Sequence, residues 1–226
     1  MDTPGVTGVT RPDRRQRRRQ ETIEQVLDVA VEVMTEQGVV GLTLGEVARR
    51  MGIRPPSLYV YFDGKNALYD ALFERGWREL LATVRSVHAE GPHPSPAADL
   101  LAHQEVFVRW AVEHPACAPL MFWRPVPGFV PTARAYSPAV ELAEFTRAFL
   151  GQLRDRGLLR PDIDLDRAFR TLTVVVNGVI TQQLANAPGE PFETGTFTST
   201  LTDVVAMWLA HHGDPAALHL RAASPG

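Results

Sequence analysis

The chain has 226 residues, a net charge of −3 and one cysteine, Cys117. Its length can bury a sizeable core in one or two domains, and its 45% hydrophobic and 22% charged residues are typical of a soluble globular protein. With no second cysteine the chain forms no internal disulfide, which fits a reducing cytoplasm. No apolar run approaches the ~18 residues of a membrane span, and no hydrophobic segment follows the basic N-terminus. We therefore expect a cytoplasmic protein without a membrane partner.

The N-terminal residues 1–16 are expected to form a disordered basic arm. Residues 1–10 are rich in Gly, Thr and Pro, and residues 11–20 contain six arginines and one aspartate on an otherwise acidic chain. Such a distribution indicates a local contact with an anion such as nucleic acid. A solubilising tail is the alternative interpretation.

An amphipathic helix is predicted over residues 17–37, followed by two short helices. Thr43 and Glu46 have the spacing of a capping box, so the first short helix should begin at Leu44. Gly52 ends it, because glycine adopts the left-handed conformation without penalty. The second should begin at Pro55 and run through residues 57–61. Two short helices joined by a tight turn are the layout of a helix-turn-helix, whose second helix enters the DNA major groove.

The rest of the chain continues with helical periodicity. Helices are predicted at about residues 65–90, 97–113, 116–123, 137–156, 161–186 and 192–212. The segment 171–180 is β-branched and resembles a strand, but its apolar residues recur at helical spacing, so we favour a helix. The sequence thus predicts an all-α protein of about nine helices. The predicted domains are a helix-turn-helix domain at 17–66, a helical ligand-binding and dimerisation domain at 67–214, and a flexible tail at 215–226.

Catalytic and metal-binding patterns are missing from the sequence. We find no nucleophile elbow, P-loop, zinc-protease motif or dinucleotide fingerprint. His211 and His212 are adjacent and would point in different directions on a helix, so they make a poor metal pair. We therefore expect no catalytic residues, no metal and no cofactor. An enzyme, or a helical small-molecule-binding protein that does not bind DNA, is the alternative function.

Four pieces of sequence between about Glu21 and Leu72 carry a family resemblance. They are MTEQGVVGLTL, EVARRMGI, SLYVYF and a helix start at Lys65 followed by Ala67, Leu68 and Tyr69. Together they resemble the TetR (tetracycline-repressor-like) family of bacterial transcriptional regulators. The resemblance implies an effector-responsive regulator, by family default a repressor, which binds a palindromic double-stranded DNA operator.

The resemblance also implies roles for individual residues. Thr43 would cap the first short helix near a phosphate, Ser57 would face a base or phosphate, and Pro55 would lie at the groove-facing helix end. Tyr59, Tyr61 and Lys65 match positions that contact the DNA backbone. Val60 departs from the commoner family residues and offers an apolar contact, for example to a thymine methyl group. As plain alternatives, the two tyrosines are half-buried aromatics and Lys65 is a solvated charge.

Arg54 is the best candidate for a specific base contact. It directly precedes the second short helix, where Pro55 and Pro56 replace the polar residues that the family often has. A bidentate arginine–guanine pair contributes roughly 1–3 kcal/mol of discrimination between bases.

The helices of the second predicted domain are expected to enclose a cavity for a hydrophobic or aromatic effector. Aromatic and sulfur-containing side chains are the candidate apolar lining, and three polar side chains are candidate anchors. The candidates are Phe107, Trp110, Met121, Phe122, Trp123, Phe129 and Phe149, with His103, Asn177 and Gln182 as anchors. The alternative is that these aromatics form an ordinary core.

The last two helices are expected to form a homodimer interface. One recognition element reads few base pairs, so such proteins pair on palindromic sites whose halves lie about 34 Å apart. Val175, Val179 and Leu184, with Gly178, would supply the first apolar stripe. The second would contain Phe197, Leu201, Val204, Val205 and Trp208. The alternative is that both stripes belong to the core of one chain.

Overall fold

The computed structural model describes residues 14–215, and all structural statements refer to these residues. They form eight α-helices and two short 3-10 helices, without a β-strand, so the all-α prediction is confirmed and the expected number of helices was close. Residues 1–13 of the expected basic arm, and the tail from residue 216 onward, lie outside the described part. No helix in the described part is long and apolar enough to cross a membrane.

The elements follow one another in simple order. They are α1 (Arg14–Gly41), α2 (Leu44–Arg50), a 3-10 helix (Pro55–Ser57), α3 (Lys65–Ala89), α4 (Pro96–Glu113), α5 (Ala118–Phe122), α6 (Ala133–Asp155), α7 (Leu165–Asn186), a second 3-10 helix (Thr198–Thr200) and α8 (Leu201–His212). The described chain divides into two compact units between Leu68 and Tyr69, inside α3.

The first unit packs α1 against α2. The apolar stripe of α1 is buried as its spacing predicts, and Val47 and Ala48 of α2 are buried with it. Helix α1 is longer than predicted. It begins at Arg14, so residues 14–16 are helical and not part of a disordered arm, and it continues to Gly41 through a kink at Gly38, where φ is 72°. Glycine tolerates this positive φ, so the helical hydrogen bonding resumes after the kink.

The second element of the predicted helix-turn-helix differs from the prediction. An α-helix was expected through residues 57–61, but the chain forms a 3-10 helix at Pro55–Ser57 and then turns. Neither proline can donate a backbone hydrogen bond, so the first donor is Ser57, which bonds to the carbonyl of Arg54 at 2.9 Å. The amide of Tyr61 likewise bonds three residues back, to Leu58 at 2.9 Å. These three-residue bonds are the 3-10 pattern.

The second unit is organised around α7, which packs against α4, α6 and α8. The β-branched segment 171–180 lies inside α7, so the preference for helix over strand is confirmed. Helix α6 contains Pro138, which cannot donate to the carbonyl of Arg134 one turn earlier. The hydroxyl of Ser137 donates to that carbonyl instead, at 2.9 Å, and the helix continues.

Helix α8 begins at Leu201, nine residues later than predicted. Before it, the chain from Ala187 turns around the buried carboxamide of Gln183. Oε1 of Gln183 accepts hydrogen bonds from the amides of Phe197 (2.9 Å) and Thr198 (3.2 Å), and its Nε2 donates to the carbonyl of Ala187 (2.7 Å). A side chain from α7 therefore satisfies backbone groups that a helix would otherwise have paired.

The expected dimer stripes are largely internal. Val179, Leu201, Val205 and Trp208 are buried within the single chain. Trp208 also donates its indole N–H to the carbonyl of Ala168 at 3.2 Å. For these four residues the structure agrees with the core alternative, because helical spacing identifies an apolar face without identifying its neighbour.

Candidate functional site

The segment from Arg54 to Lys65 is anchored on one side and exposed on the other. Leu58 and Phe62 are buried in the first unit, as their apolar character predicts. Between them, Tyr59 is 58% exposed and Val60 is 72% exposed. Two buried residues four positions apart fix the segment, so the intervening side chains are held facing solvent.

Arg54, Pro55 and Ser57 lie at the beginning of this exposed segment. Arg54 has an extended backbone and immediately precedes the 3-10 helix, and all three side chains are exposed. No side chain caps this 3-10 helix. The segment therefore presents an arginine, a hydroxyl, an aromatic ring and an apolar side chain within seven residues.

Thr43 caps α2 as predicted. Its hydroxyl accepts a hydrogen bond from the amide of Glu46 at 3.1 Å. The carboxylate of Glu46 does not complete the capping box, because it binds Arg49 at 2.7 Å and Arg50 at 2.9 Å. Hydrogen bonds from these two arginines lower the pKa of Glu46 to about 2. Arg50 also binds Glu36 of α1 at 2.5 Å, so the network joins the two helices.

Lys65 lies at the start of α3, after Gly64, whose φ of 90° requires glycine or strain. Its Nζ donates to the carbonyl of Val40 at 3.0 Å, near the end of α1. A lysine ammonium carries three donors, so this contact orients the group without exhausting it. Lys65 is half-buried.

The arginines at the start of α1 lie next to the exposed segment. The guanidinium of Arg19 lies over the ring of Tyr61, 5.7 Å from its centroid. Five arginines occur between Arg14 and Arg19, all exposed, and the first turn of α1 has no acidic residue. Positive charge at a helix N-terminus opposes the helix dipole, so an external anion there would be stabilising.

A cavity of about 430 Å³ lies within the second unit, between α3, α4, α5, α6 and α7. Its volume is within the range of ~300–1,000 Å³ found for ligand pockets. The apolar lining consists of Phe107, Phe122, Ala139, Val140, Leu142, Ala143, Phe169, Leu172 and Val176. The polar lining consists of Trp77, His103, Gln104, Tyr136, Thr146, Arg147, Thr173 and Asn177. Tyr136, Val140 and Thr173 are exposed, so the cavity opens to solvent between α6 and α7.

The predicted ligand-binding residues separate into two groups. Among the eight principal candidates, His103, Phe107 and Asn177 line the cavity. Outside it lie Trp110, which stacks on His114, Met121, which packs against Gly76, and Gln182, which bonds to Asn186. Trp123 also lies outside and donates to Thr181 at 3.2 Å. Helical spacing selected these side chains as inward-facing, but their neighbours are other parts of the unit.

Phe149 lines a second, smaller cavity of about 180 Å³, together with His88 and His103. His103 belongs to both cavities and is fully hydrogen-bonded. Its Nδ1 lies 2.8 Å from Nε2 of His88, and its Nε2 lies 3.2 Å from the hydroxyl of Thr146. Because that hydroxyl donates to the carbonyl of Leu142, it accepts from Nε2–H of His103, and Nδ1 accepts from His88. Burial lowers the pKa of His103 to about 3, so this ring is neutral.

Four polar cavity residues were not anticipated from the sequence: Trp77, Gln104, Tyr136 and Arg147. Tyr136, Val140, Ala143 and Arg147 recur at helical spacing on α6, a pattern that marks one face. Arg147 binds Asp166 at 2.9 Å and lies over the ring of Phe169, 4.3 Å from its centroid. Within the described part, the indole nitrogen of Trp77 and the amide nitrogen of Gln104 are buried without a hydrogen-bond partner.

Both units match known protein families. Residues 26–72 match the family described as bacterial regulatory proteins, tetR family. Residues 100–205 match the family described as tetracyclin repressor-like, C-terminal domain. Together the two matched segments make up more than half of the chain.

Individual proteins are also similar. An uncharacterized HTH-type transcriptional regulator, YobS of Bacillus subtilis, is 32% identical over 94 residues, which are 42% of this chain and 48% of YobS. The tetracycline repressor protein class D of Escherichia coli is 45% identical over 49 residues, 22% of each chain. The chain thus spans half or less of the length of these curated relatives. A solved structure from Rhodococcus sp. RHA1, of unknown function, has a TM-score of 0.71 at 21% identity, covering 85% of this chain and 95% of that one.

Proposed function

Because the chain belongs to the TetR family of bacterial regulatory proteins, we propose that it is a DNA-binding transcriptional regulator, in the first instance a repressor. The observation that carries this proposal is the exposure of Tyr59 and Val60 between the buried Leu58 and Phe62. Exposing an aromatic and an apolar side chain side by side is unfavourable in water and favourable against the bases and sugars of a groove.

The surrounding charges support the same proposal. Arg54 begins the exposed segment, and Arg19 brings the basic start of α1 next to Tyr61. Lys65 is held at the start of α3 by its bond to Val40, where an ammonium group could also reach a phosphate. We assign Arg54 to a base contact, Val60 to an apolar base contact, and Thr43, Pro55, Ser57, Tyr59, Tyr61 and Lys65 to positioning on the backbone.

A titration with Arg54→Ala tests this assignment. Fluorescence anisotropy of the full chain on a duplex from upstream of its own gene should give specific binding that weakens steeply with salt. Loss of one base contact should weaken specific binding by about 5- to 150-fold, the equivalent of ~1–3 kcal/mol. Arg170→Ala removes the same charge from an exposed site on α7 and is the control. Equal effects of the two substitutions, or no specific binding by the wild-type chain, would reject the assignment.

We propose that the chain acts as a homodimer through exposed residues of α7 and α8. Val174 is 71% exposed and Met207 is 65% exposed, and the neighbouring Gly178 has no atom near the position of a Cβ. An apolar surface beside a glycine permits close approach of a second copy. This face differs from the predicted stripes, most of whose residues are internal.

The substitution Met207→Asp tests the dimer. Sedimentation velocity should show a dimer for the wild-type chain and a shift toward monomer for Met207→Asp, because a charge would be buried without a partner. Val130→Asp is the control, since Val130 is 76% exposed and lies outside α7 and α8. A monomeric wild-type chain, or equal dissociation in both variants, would contradict the proposed interface.

The cavity of the second unit is the proposed effector site. A ligand that binds one arrangement of the dimer more tightly than another shifts the DNA affinity by no more than that difference in binding free energy. The same coupling requires operator DNA to weaken effector binding by an equal factor. A chain that binds a small molecule but no DNA would instead support the alternative of a helical small-molecule-binding protein.

A further inference from the structure

The cavity between α4 and α7 contains donors without acceptors. Nε1 of Trp77 and Nε2 of Gln104 are buried, and neither has a hydrogen-bond partner within the described part of the chain. Gln104 lies on α4 one residue after His103, and Trp77 lies on α3; both line the same cavity. A buried donor left unpaired costs about 1–3 kcal/mol, so two of them beside one cavity call for an explanation.

The other polar groups of the lining do not supply the missing acceptors. The His103 ring is fully engaged with His88 and Thr146. The amide nitrogen of Asn177 donates to the carbonyl of Thr173 within α7, at 2.9 Å. The unpaired capacity of this wall of the cavity is therefore for donation, at Trp77 and Gln104.

The charge of the lining restricts the ligand further. Among the described residues that line the cavity there is no aspartate or glutamate, and the one formally charged side chain is Arg147. Asp166 binds Arg147, but Asp166 is mostly exposed, so its carboxylate is screened by water. A cationic ligand would enter without a buried counter-charge, which is costly.

The shape and composition of the remaining wall fix the body of the ligand. Phe107 and Phe122 stack with ring centroids 5.6 Å apart, and Phe169 and Leu172 face the cavity from α7. Such a wall accepts a flat or compact apolar group. At about 430 Å³ the cavity lies toward the lower end of ligand pockets, which favours a small molecule.

We propose that the effector is a small, mostly apolar molecule, uncharged or anionic, that carries a carbonyl oxygen, and that Gln104 and Trp77 donate hydrogen bonds to its oxygen. This inference depends on the proposed role of the cavity as the effector site. It assigns a positioning role to two residues that neither their sequence pattern nor the family match identifies.

A matched set of naphthalenes tests the inference. The probes are 2-acetylnaphthalene, which has the carbonyl, 2-ethylnaphthalene, which has the same shape without an acceptor, 2-naphthoate, an anion, and 2-(aminomethyl)naphthalene, a cation. Equilibrium dialysis against the full chain without DNA should rank the ketone and the carboxylate at least tenfold tighter than the hydrocarbon and the amine. Equal binding of ketone and hydrocarbon, tightest binding of the amine, or no binding of any probe would overturn the proposal.

Two variants locate the effect in the cavity. Gln104→Leu and Trp77→Phe keep most of the volume but remove a donor, so each should weaken 2-acetylnaphthalene about three- to tenfold and leave 2-ethylnaphthalene unchanged or tighter. Gln25→Leu, at an exposed site on α1, is the control and should change neither. Circular dichroism shows whether each variant is folded, and if one is not, the other still decides the result. Unchanged ketone affinity in a folded variant would contradict the assigned donor.

A separate anisotropy titration keeps this test apart from the proposed function. Carbonyl-selective binding by a chain that does not bind DNA would reject the regulator and retain the ligand class. Specific DNA binding by a chain that ignores all four probes would do the reverse.

Discussion

Replacing Gln183 with methionine should release the loop between α7 and α8. The side chain is almost fully buried and makes four hydrogen bonds. They are accepted from Phe197 (2.9 Å) and Thr198 (3.2 Å) and donated to Ala187 (2.7 Å) and the carboxylate of Glu190 (3.4 Å). Methionine has a similar volume and cannot replace any of them.

The expected cost follows from what becomes unpaired. Thr198 is buried, so its amide is stranded, at about 1–3 kcal/mol. Phe197 and Ala187 are only half-buried, and water can satisfy part of their loss, which adds about 1 kcal/mol. We therefore expect Gln183→Met to lower the free energy of unfolding by about 2–4 kcal/mol.

Urea unfolding and amide hydrogen exchange together measure this effect. The urea midpoint should fall, and the amides of Phe197 and Thr198 should lose protection more than those of α4. Gln182→Met is the matched control, because Gln182 is exposed on the same helix and bonds to Asn186 alone; it should stay within about 0.5 kcal/mol of wild type. Equal midpoints for the two variants, or unchanged protection at residues 197 and 198, would refute the reasoning.

Three further predictions follow from burial and charge. Val60→Glu should weaken operator binding at least tenfold by repelling phosphates, yet leave the melting temperature unchanged, because Val60 is exposed; Val130→Glu should change neither in anisotropy and thermal scans. Burial raises the pKa of Cys117 to about 11, so at pH 8 iodoacetamide should alkylate it roughly a hundredfold more slowly in the native chain than in guanidinium, and equal rates would contradict its burial. Because the pKa of His103 is about 3 when folded and about 6.5 when unfolded, the unfolded chain binds more protons between these values. The urea midpoint should therefore fall as pH drops from 6.5 toward 3, and fall less in His103→Leu; identical slopes would contradict a neutral buried ring.

Local signals predicted the helix boundaries best where a side chain caps the backbone. Thr43 placed the start of α2 at Leu44, and Gly52 has the positive φ of 66° expected at its end. Both depend on interactions within a few residues, which the sequence displays directly. The start of α8 was missed because it depends on Gln183, a side chain on another helix, and no local pattern marks that contact.

The limits were similar for the candidate sites. Alternation of buried Leu58 and Phe62 with exposed Tyr59 and Val60 was visible in the motif, although the 3-10 geometry was not. In the cavity, aromatic spacing identified Phe107 but not Gln104. Whether a polar atom has a partner depends on the packing of five helices, so the sequence alone could not reveal the unpaired donors.

Selection of bound sequences from a random duplex library tests the central claim most directly. If two exposed segments read one duplex, the full chain should enrich a twofold-symmetric sequence with half-sites about one helical turn, ~34 Å, or a multiple of it apart. Arg54→Ala should lose its preference at one symmetric pair of guanine positions while keeping the rest of the site. Enrichment of no sequence by the wild-type chain, or of an asymmetric one that Arg54→Ala enriches equally, would contradict the account.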